Sequence, residues 1–286
     1  MSLVVNNNLM ANAAARNLNS AYTKLGTSTE RLSSGLRVNS SADDAAGLAV
    51  RELMRSDIST LNQGIRNAND GISMIETADG ALSVIDEKLI RMKELAEQSA
   101  TGTYTDAQRL IIDSEYQAMA SEITRIASAT DFNGIYLLNG NLSAEGVTIH
   151  FGTGNDAAED KYAVTIGSTT ASSLGVGLSA GADKAGAVVS TQEAAQNALA
   201  ALNSAIVSKD NIRANLGSMQ NRLTATISNL EIQAENLQAS ESRISDVDVA
   251  TEMTEYTKEQ IITQSAVAML SQANSLPQMA LSLIGG

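Results

Sequence analysis

Cysteine is absent from the 286 residues, which removes disulfides, thiolate chemistry and cysteine-based zinc sites together. That absence suits a chain that must cross a membrane unfolded without mispairing thiols. Proline occurs once, tryptophan not at all, and aromatic residues make up 3% of the chain. A core built from Leu, Ile, Val, Met and Ala with so few helix breakers favours helix-on-helix packing. Positive charge is also short: 19 Lys and Arg stand against 32 Asp and Glu, a net charge of -13. That balance excludes nucleic acid as an expected partner, because phosphate binding needs clustered basic residues, and it disfavours anionic lipid. The first basic residue is Arg16, so no basic segment precedes an apolar run, and a cleavable signal peptide is not expected.

What is present is periodicity. Apolar residues recur three and four apart, the pattern of a coiled-coil seam. Leu18, Tyr22, Leu25 and Leu32 start it. A longer run reads Ile58, Leu61, Ile65, Ala68, Ile72, Ile75, Ala78, Leu82, Ile85, Leu89, Met92 and Ala96. Its rhythm slips near Ile75, where one step of three follows another, which predicts a local stammer. One helix over residues 45–100 would be about 80 Å long. "ATGTYTDAQR" interrupts it, and Thr105 with Gln108 fits a capping box that starts a helix carrying Ile112, Tyr116, Met119, Ile123 and Ile126. "DFNGIYLLNG" then supplies two Asn-Gly turn signals. Ser190 with Glu193 fits another capping box, ahead of Leu202, Ala205, Ile212, Leu216, Met219, Leu223, Leu230, Leu237 and Ile244. The last seam is Ile262, Ala266, Met269, Ala273, Leu276, Ala280 and Leu283.

Residues 141–190 differ. Alternation in "VTIHF" and "YAVTI" puts Val147, Ile149 and Phe151 on one strand face and Tyr162, Val164 and Ile166 on another. A small β-hairpin with a ten-residue loop and a glycine-rich connection is expected, too small for a core of its own. The fold class is therefore mainly α: a long antiparallel helical bundle or coiled coil with a β-hairpin insertion.

The chemistry inventory is thin. His150 is the one histidine and lies opposite the apolar face of its strand, so it reads as solvent-facing. Asp156, Glu159 and Asp160 lack EF-hand spacing. "RLSSGLRVNSSADDAAGLAV" lacks the phosphate-loop pattern and follows a helix-period segment. Asp43 and Asp44 could meet Asp246 and Asp248 as a carboxylate cluster, but helix capping is the simpler reading, with Ser41 and Asp44 as the box. No charged residue occurs from Gln260 to Gly286, yet Ser, Thr, Asn and Gln side chains there argue against a membrane span. No catalytic or metal-binding set and no cofactor is expected. Seams with so little charge need partners, by mutual packing of the two ends, by self-association, or by both.

Several long motifs carry a resemblance: "ERLSSGLRVNSSADDAAGLAV", "RNANDGISMIETADGAL", "RMKELAEQS", "DFNG", "LGSMQNRL", "SRISDVDVATEMTEYTKEQI" and "SLPQMALSLIGG". With them the sequence resembles bacterial flagellin, the subunit of the flagellar filament, in a short variant without large outer domains. The resemblance implies a terminal coiled-coil core domain from 1–44 plus 254–286, a helical rod domain from 45–140 plus 191–253, and the insertion at 141–190. It implies a polymerisation seam at Leu18, Tyr22, Leu25, Leu32, Ile262, Ala266, Met269, Ala273, Leu276, Ala280 and Leu283. It implies a core-rod joint at Gly35, Asn39, Asp43, Asp44, Asp246 and Asp248, where Arg31–Val50 faces the return near Ser245–Met253. Its expected partners are copies of itself, an export chaperone on the C-terminal helix, and filament cap and hook-junction proteins. Type III export and an extracellular location follow with them. A host Toll-like receptor would meet Arg91, Leu95 and Glu115, although Ile90 and Glu97 depart from the stimulatory pattern. The rival reading is a hook-filament junction protein, which shares the terminal motifs but would need a large and different middle region. Asn39 and Asn141 sit in N-x-S patterns, which by themselves do not establish glycosylation.

Overall fold

A computed structural model describes residues 7–156, 158–181 and 184–284, except the side chains of 276–278 and 280–284. In chain order the elements are α1 (Leu9–Ser34), α2 (Ala45–Ala100), α3 (Asp106–Ala129), β1 (Asp131–Phe132), β2 (Ile135–Tyr136), β3 (Val147–His150), β4 (Lys161–Val164), α4 (Ala171–Leu174), α5 (Gln192–Ser245) and α6 (Val249–Ile284). Their contacts divide the chain into two units, Met1–Ile58 with Glu235–Gly286, and Ser59–Ala234.

In the larger unit, Leu61, Gly64, Ala68, Gly71, Ile75, Ala78, Leu82, Ile85, Leu89, Met92, Ala96 and Ser99 form a buried seam along α2, with Met74 and Leu95 buried beside it. This seam alternates threes and fours without a break, so the expected stammer is absent. The apolar pattern chose Ile65 and Ile72, which are half-buried, over Gly64 and Gly71 beside them. A glycine carries no side chain to signal burial, and at these two positions another segment fills the space. A methyl added at Gly64 would collide with the carbonyl oxygen of Phe151, and one at Gly71 with the tip of Ile149. Asn67 Nδ2 also donates to the His150 carbonyl at 2.8 Å.

That segment is the hairpin. β3 pairs antiparallel with β4 in the register Val147↔Val164 and Ile149↔Tyr162, leaving the ten-residue loop 151–160 between them. Ile149, Phe151, Val164 and Ile166 are buried, and Phe151 and Tyr162 stack at 4.8 Å. Arg222 of α5 lies 4.4 Å from the centre of the Tyr162 ring. The connection beyond it contains α4, which sequence patterning did not anticipate. A polar row on α3 satisfies the backbone of this connection. Asp113 accepts from the Val189 N–H at 2.7 Å, Tyr116 donates to Gly186 O at 2.8 Å, and Gln117 donates to Ala187 O at 2.7 Å. Burial holds the Tyr116 hydroxyl well above the ordinary tyrosine range. Polar groups thus stand in for the core that the insertion is too short to build.

Helix ends follow the expected chemistry with small shifts. Thr105 and Gln108 form a reciprocal capping box at the start of α3. For α5 the cap is Thr191, whose hydroxyl accepts from Ala194 N–H at 3.2 Å, one residue after the expected Ser190. The pair Asn133-Gly134 occupies the turn of the β1–β2 hairpin, with φ of 51° and 79°, a left-handed pair suited to Asn-Gly.

α2 and α5 run antiparallel in this unit, pinned by charge. Lys209 occupies a seam position of α5 and is 2% exposed, with Nζ 2.5 Å from Asp86 of α2 and 2.7 Å from Asp210. Beside it Arg213 forks onto Asp79 at 2.7 and 3.0 Å, which holds the Asp79 carboxyl below its usual range. Removing Asp86 leaves the buried Lys209 ammonium with Asp210 alone, whereas an apolar replacement of Lys209 leaves two carboxylates that are partly exposed and stay hydrated. Asp86→Ala is expected to lower stability by up to about 3 kcal/mol and Lys209→Met to be near neutral. Urea unfolding monitored by circular dichroism would measure both, and the opposite ranking would contradict the packing.

Candidate functional site

In the smaller unit, α1 and α6 pack on each other. Lys24 pairs with Glu259 at 3.6 Å and Arg31 with Glu252 at 3.7 Å. These partners are seven residues apart on each helix and in opposite order, which sets an antiparallel register. Asn8, the N-cap of α1, donates to Ala273 O at 2.8 Å. The covered stripe of α6 includes Glu259, Thr263 and Ala273, and that of α1 Ala21 and Ser28. Such small and polar residues give a thin interface with little apolar area.

The expected seam residues therefore divide. Leu18, Leu25, Leu32 and Ala266 are half-buried and Ala273 is buried, whereas Tyr22, Ile262 and Met269 are exposed, Met269 at 63%. The side chains of Leu276, Ala280 and Leu283 lie outside the described residues. Ile261, Val267, Met253 and Val249 are exposed as well. At 100° per residue these side chains point to nearly every side of α6 except the covered stripe. A helix apolar around its whole circumference is ordinarily enclosed by others. No helix among the described residues is long and apolar enough to cross a membrane.

Of the expected joint residues, Gly35 and Asp246 lie on segments that meet, whereas Asn39, Asp43, Asp44 and Asp248 bond to residues near them in sequence. Gly35 ends α1 in the left-handed conformation, φ 74°, with its N–H on Arg31 O. Leu36 then bridges antiparallel to Asp246, through Arg37 N–H to Ser245 O at 2.6 Å and Val247 N–H to Gly35 O at 3.0 Å. Asn39 Nδ2 donates to Ser34 Oγ at 2.9 Å. Asp43 accepts from the Ser40 N–H at 2.9 Å and from Asn39 N–H at 3.2 Å. Arg51 Nη1, reaching back from α2, donates to Val38 O at 2.7 Å.

Asp44 and Asp248 are helix caps, and the four carboxylates bond locally instead of forming a cluster. Asp44 Oδ1 accepts from Gly47 N–H at 2.9 Å, so Asp44 itself starts α2 where Ser41 had been expected to. The reason is positional: α2 begins at Ala45, which places Asp44 directly before the helix. Asp248 accepts from Ala250 N–H and from the Thr251 hydroxyl at the start of α6, and Asp246 from Ser242 Oγ at 2.6 Å. Among the described residues no group of three His, Asp or Glu side chains is placed to hold a metal ion. His150 is exposed.

Hydrogen bonds hold two of these carboxyls below the usual range: from the Ser40 backbone first at Asp43, and from the Thr251 hydroxyl first at Asp248. A depressed folded value stabilises the folded joint above the pH at which a free carboxyl titrates, about 4. That contribution is lost as pH falls through the folded values. Amide exchange at Ala250 and Thr251, corrected for intrinsic rates, should accelerate below about pH 4; unchanged protection to pH 2 would contradict it.

In the larger unit, Arg91 Nη2 meets Glu115 at 2.8 Å across α2 and α3, and Nη1 meets Glu94 at 2.9 Å. The pair raises the Arg91 pKa, with Glu115 the leading cause. Leu95, expected beside them as an epitope residue, is 2% exposed and belongs to the core.

Residues 5–143 match the family model of the bacterial flagellin N-terminal helical region, and 190–284 that of the C-terminal helical region. The chain is 41% identical over 290 residues to flagellin FlaB2 of Treponema pallidum (strain Nichols), covering 99% of this chain and 100% of that one. It is 42% identical over 290 residues to the flagellar filament 33 kDa core protein of Treponema phagedenis, with the same coverage. Flagellin of Bacillus subtilis (strain 168) is 39% identical over 302 residues, 98% of this chain and 99% of that one. Two helical family regions in order, joined by an inserted hairpin and matched end to end by these relatives, make this chain a member of the bacterial flagellin family.

Proposed function

We propose that the chain is a structural subunit that polymerises into the bacterial flagellar filament and serves motility. The observation that carries it is α6, which exposes Val249, Met253, Ile261, Ile262, Val267 and Met269 beyond its one covered stripe. Neighbouring copies would enclose these side chains, Ile262 and Met269 among them, together with Tyr22 of α1. In this reading 1–44 with 254–286 form the filament core domain, 45–140 with 191–253 the rod, and 141–190 its insertion. Gly35, Asn39, Asp43, Asp44, Asp246 and Asp248 form the joint through which the chain passes twice between core and rod.

The same exposed side chains call for cover before assembly, which supports type III export in the keeping of a chaperone on α6. Contact with a filament cap and hook-junction proteins, and an extracellular filament location, complete the reading. Receptor recognition would rest on Arg91 and Glu115 as exposed groups, with Leu95 supporting their helix from within. The role of a hook-filament junction protein finds no support in a middle region this short.

Purified protein added to sonicated filament seeds should elongate them, as seen by negative-stain microscopy. Protein that stays monomeric across salt and ammonium sulfate concentrations would end this reading.

A further inference from the structure

The methionines are unevenly placed. Met10, Met253, Met269 and Met279 are 48%, 47%, 63% and 49% exposed and all belong to α1 or α6. In the larger unit Met74 and Met92 are buried, and Met119 and Met219 are half-buried. Other exposed side chains of α6 are Ile261, Ile262 and Val267, hydrocarbons that peroxide does not attack. With no cysteine in the chain, no thiol intercepts an oxidant first.

We propose that Met10, Met253, Met269 and Met279 are oxidation sites through which hydroperoxides switch off self-assembly of the free subunit. The inference rests on the filament reading above. The sulfur lone pair attacks the hydroxyl oxygen of the peroxide, an S–O bond forms as the O–O bond breaks, and the proton of the attacked oxygen passes to the other, which leaves as water from hydrogen peroxide or as an alcohol from an organic hydroperoxide. Sulfur loses two electrons and the peroxide gains them. The product is a polar sulfoxide on a surface that assembly must dry. Exposure in the subunit means the change leaves the fold alone; burial in the polymer means it opposes assembly. The polymer should in turn shield the same sulfurs, so that a subunit is vulnerable before assembly and protected after it.

The test treats the purified subunit with hydrogen peroxide, maps sulfoxides by peptide mass spectrometry and measures seeded elongation. The expected result is oxidation at Met10, Met253, Met269 and Met279 ahead of Met74 and Met92, unchanged circular dichroism, and elongation slowed at least tenfold. Methionine sulfoxide reductases A and B should restore the rate. Without peroxide, Met269→Gln, which mimics the added polarity, should also slow elongation. Normal elongation of oxidised subunit, or inhibition that appears only with unfolding, overturns the proposal while leaving the filament reading in place. Failure of untreated subunit to elongate overturns both.

Discussion

Met269→Asp is expected to abolish polymerisation while leaving the subunit folded. The side chain is 63% exposed, so in the free subunit a carboxylate there stays hydrated and costs little. In a polymer that encloses α6 the same carboxylate loses its water, at several kcal/mol unless a cation meets it. Since about 1.4 kcal/mol is a factor of ten, the critical concentration should rise at least a hundredfold. Ala273→Asp makes the contrast. Ala273 is buried in the covered stripe of α6, so a charge there should part α1 from α6 and reduce helicity in the subunit as well. Seeded elongation and far-ultraviolet circular dichroism on both variants separate the two faces. If Met269→Asp elongates normally, this side of α6 is not an assembly surface; if it loses helicity, the side is part of the subunit fold.

Gly64→Ala and Gly80→Ala should move stability in opposite directions. Both glycines lie within α2, where alanine is the better helix former by roughly 1 kcal/mol. Around Gly80 there is open space, and the variant should gain close to that amount. At Gly64 the added methyl meets the backbone carbonyl of Phe151, which cannot turn aside as a side chain could. The hairpin must lift, and overpacking of this kind costs about 1–3 kcal/mol. Loosening should be local, read as faster amide exchange at Phe151 and Gly152, whose N–H groups pair with Asp160 O. A stabilised Gly64→Ala variant with unchanged exchange there would mean that the hairpin does not sit on α2 as described.

Gly64, with Gly71 one step along the seam, also marks the limit of what the sequence shows. From Ile75 to Ala96 every seam residue expected of α2 is buried, because large aliphatic side chains at heptad spacing report their own burial. Gly64 and Gly71 report nothing, since what fills their place comes from Phe151 and Ile149 far along the chain. Lys209 was hidden for a related reason. A lysine reads as surface, and its partner Asp86 is 123 residues away. Caps were legible to within a residue at Thr105 and Thr191, because a cap depends on the few residues around it, whereas the α2 cap is Asp44, three residues after the expected Ser41.

α6 shows the same division on a larger scale. Its sequence determined by itself that the helix is long, uncharged from Gln260 onward and apolar on several sides, because composition and spacing are properties of one segment. Which stripe is covered within the subunit was decided by tertiary structure alone. Lys24 and Arg31 pair with Glu259 and Glu252, and those contacts turn Glu259, Thr263 and Ala273 inward. Ile262 and Met269 are left to face outward, so the geometry of one long-range pairing selected the surface proposed for assembly.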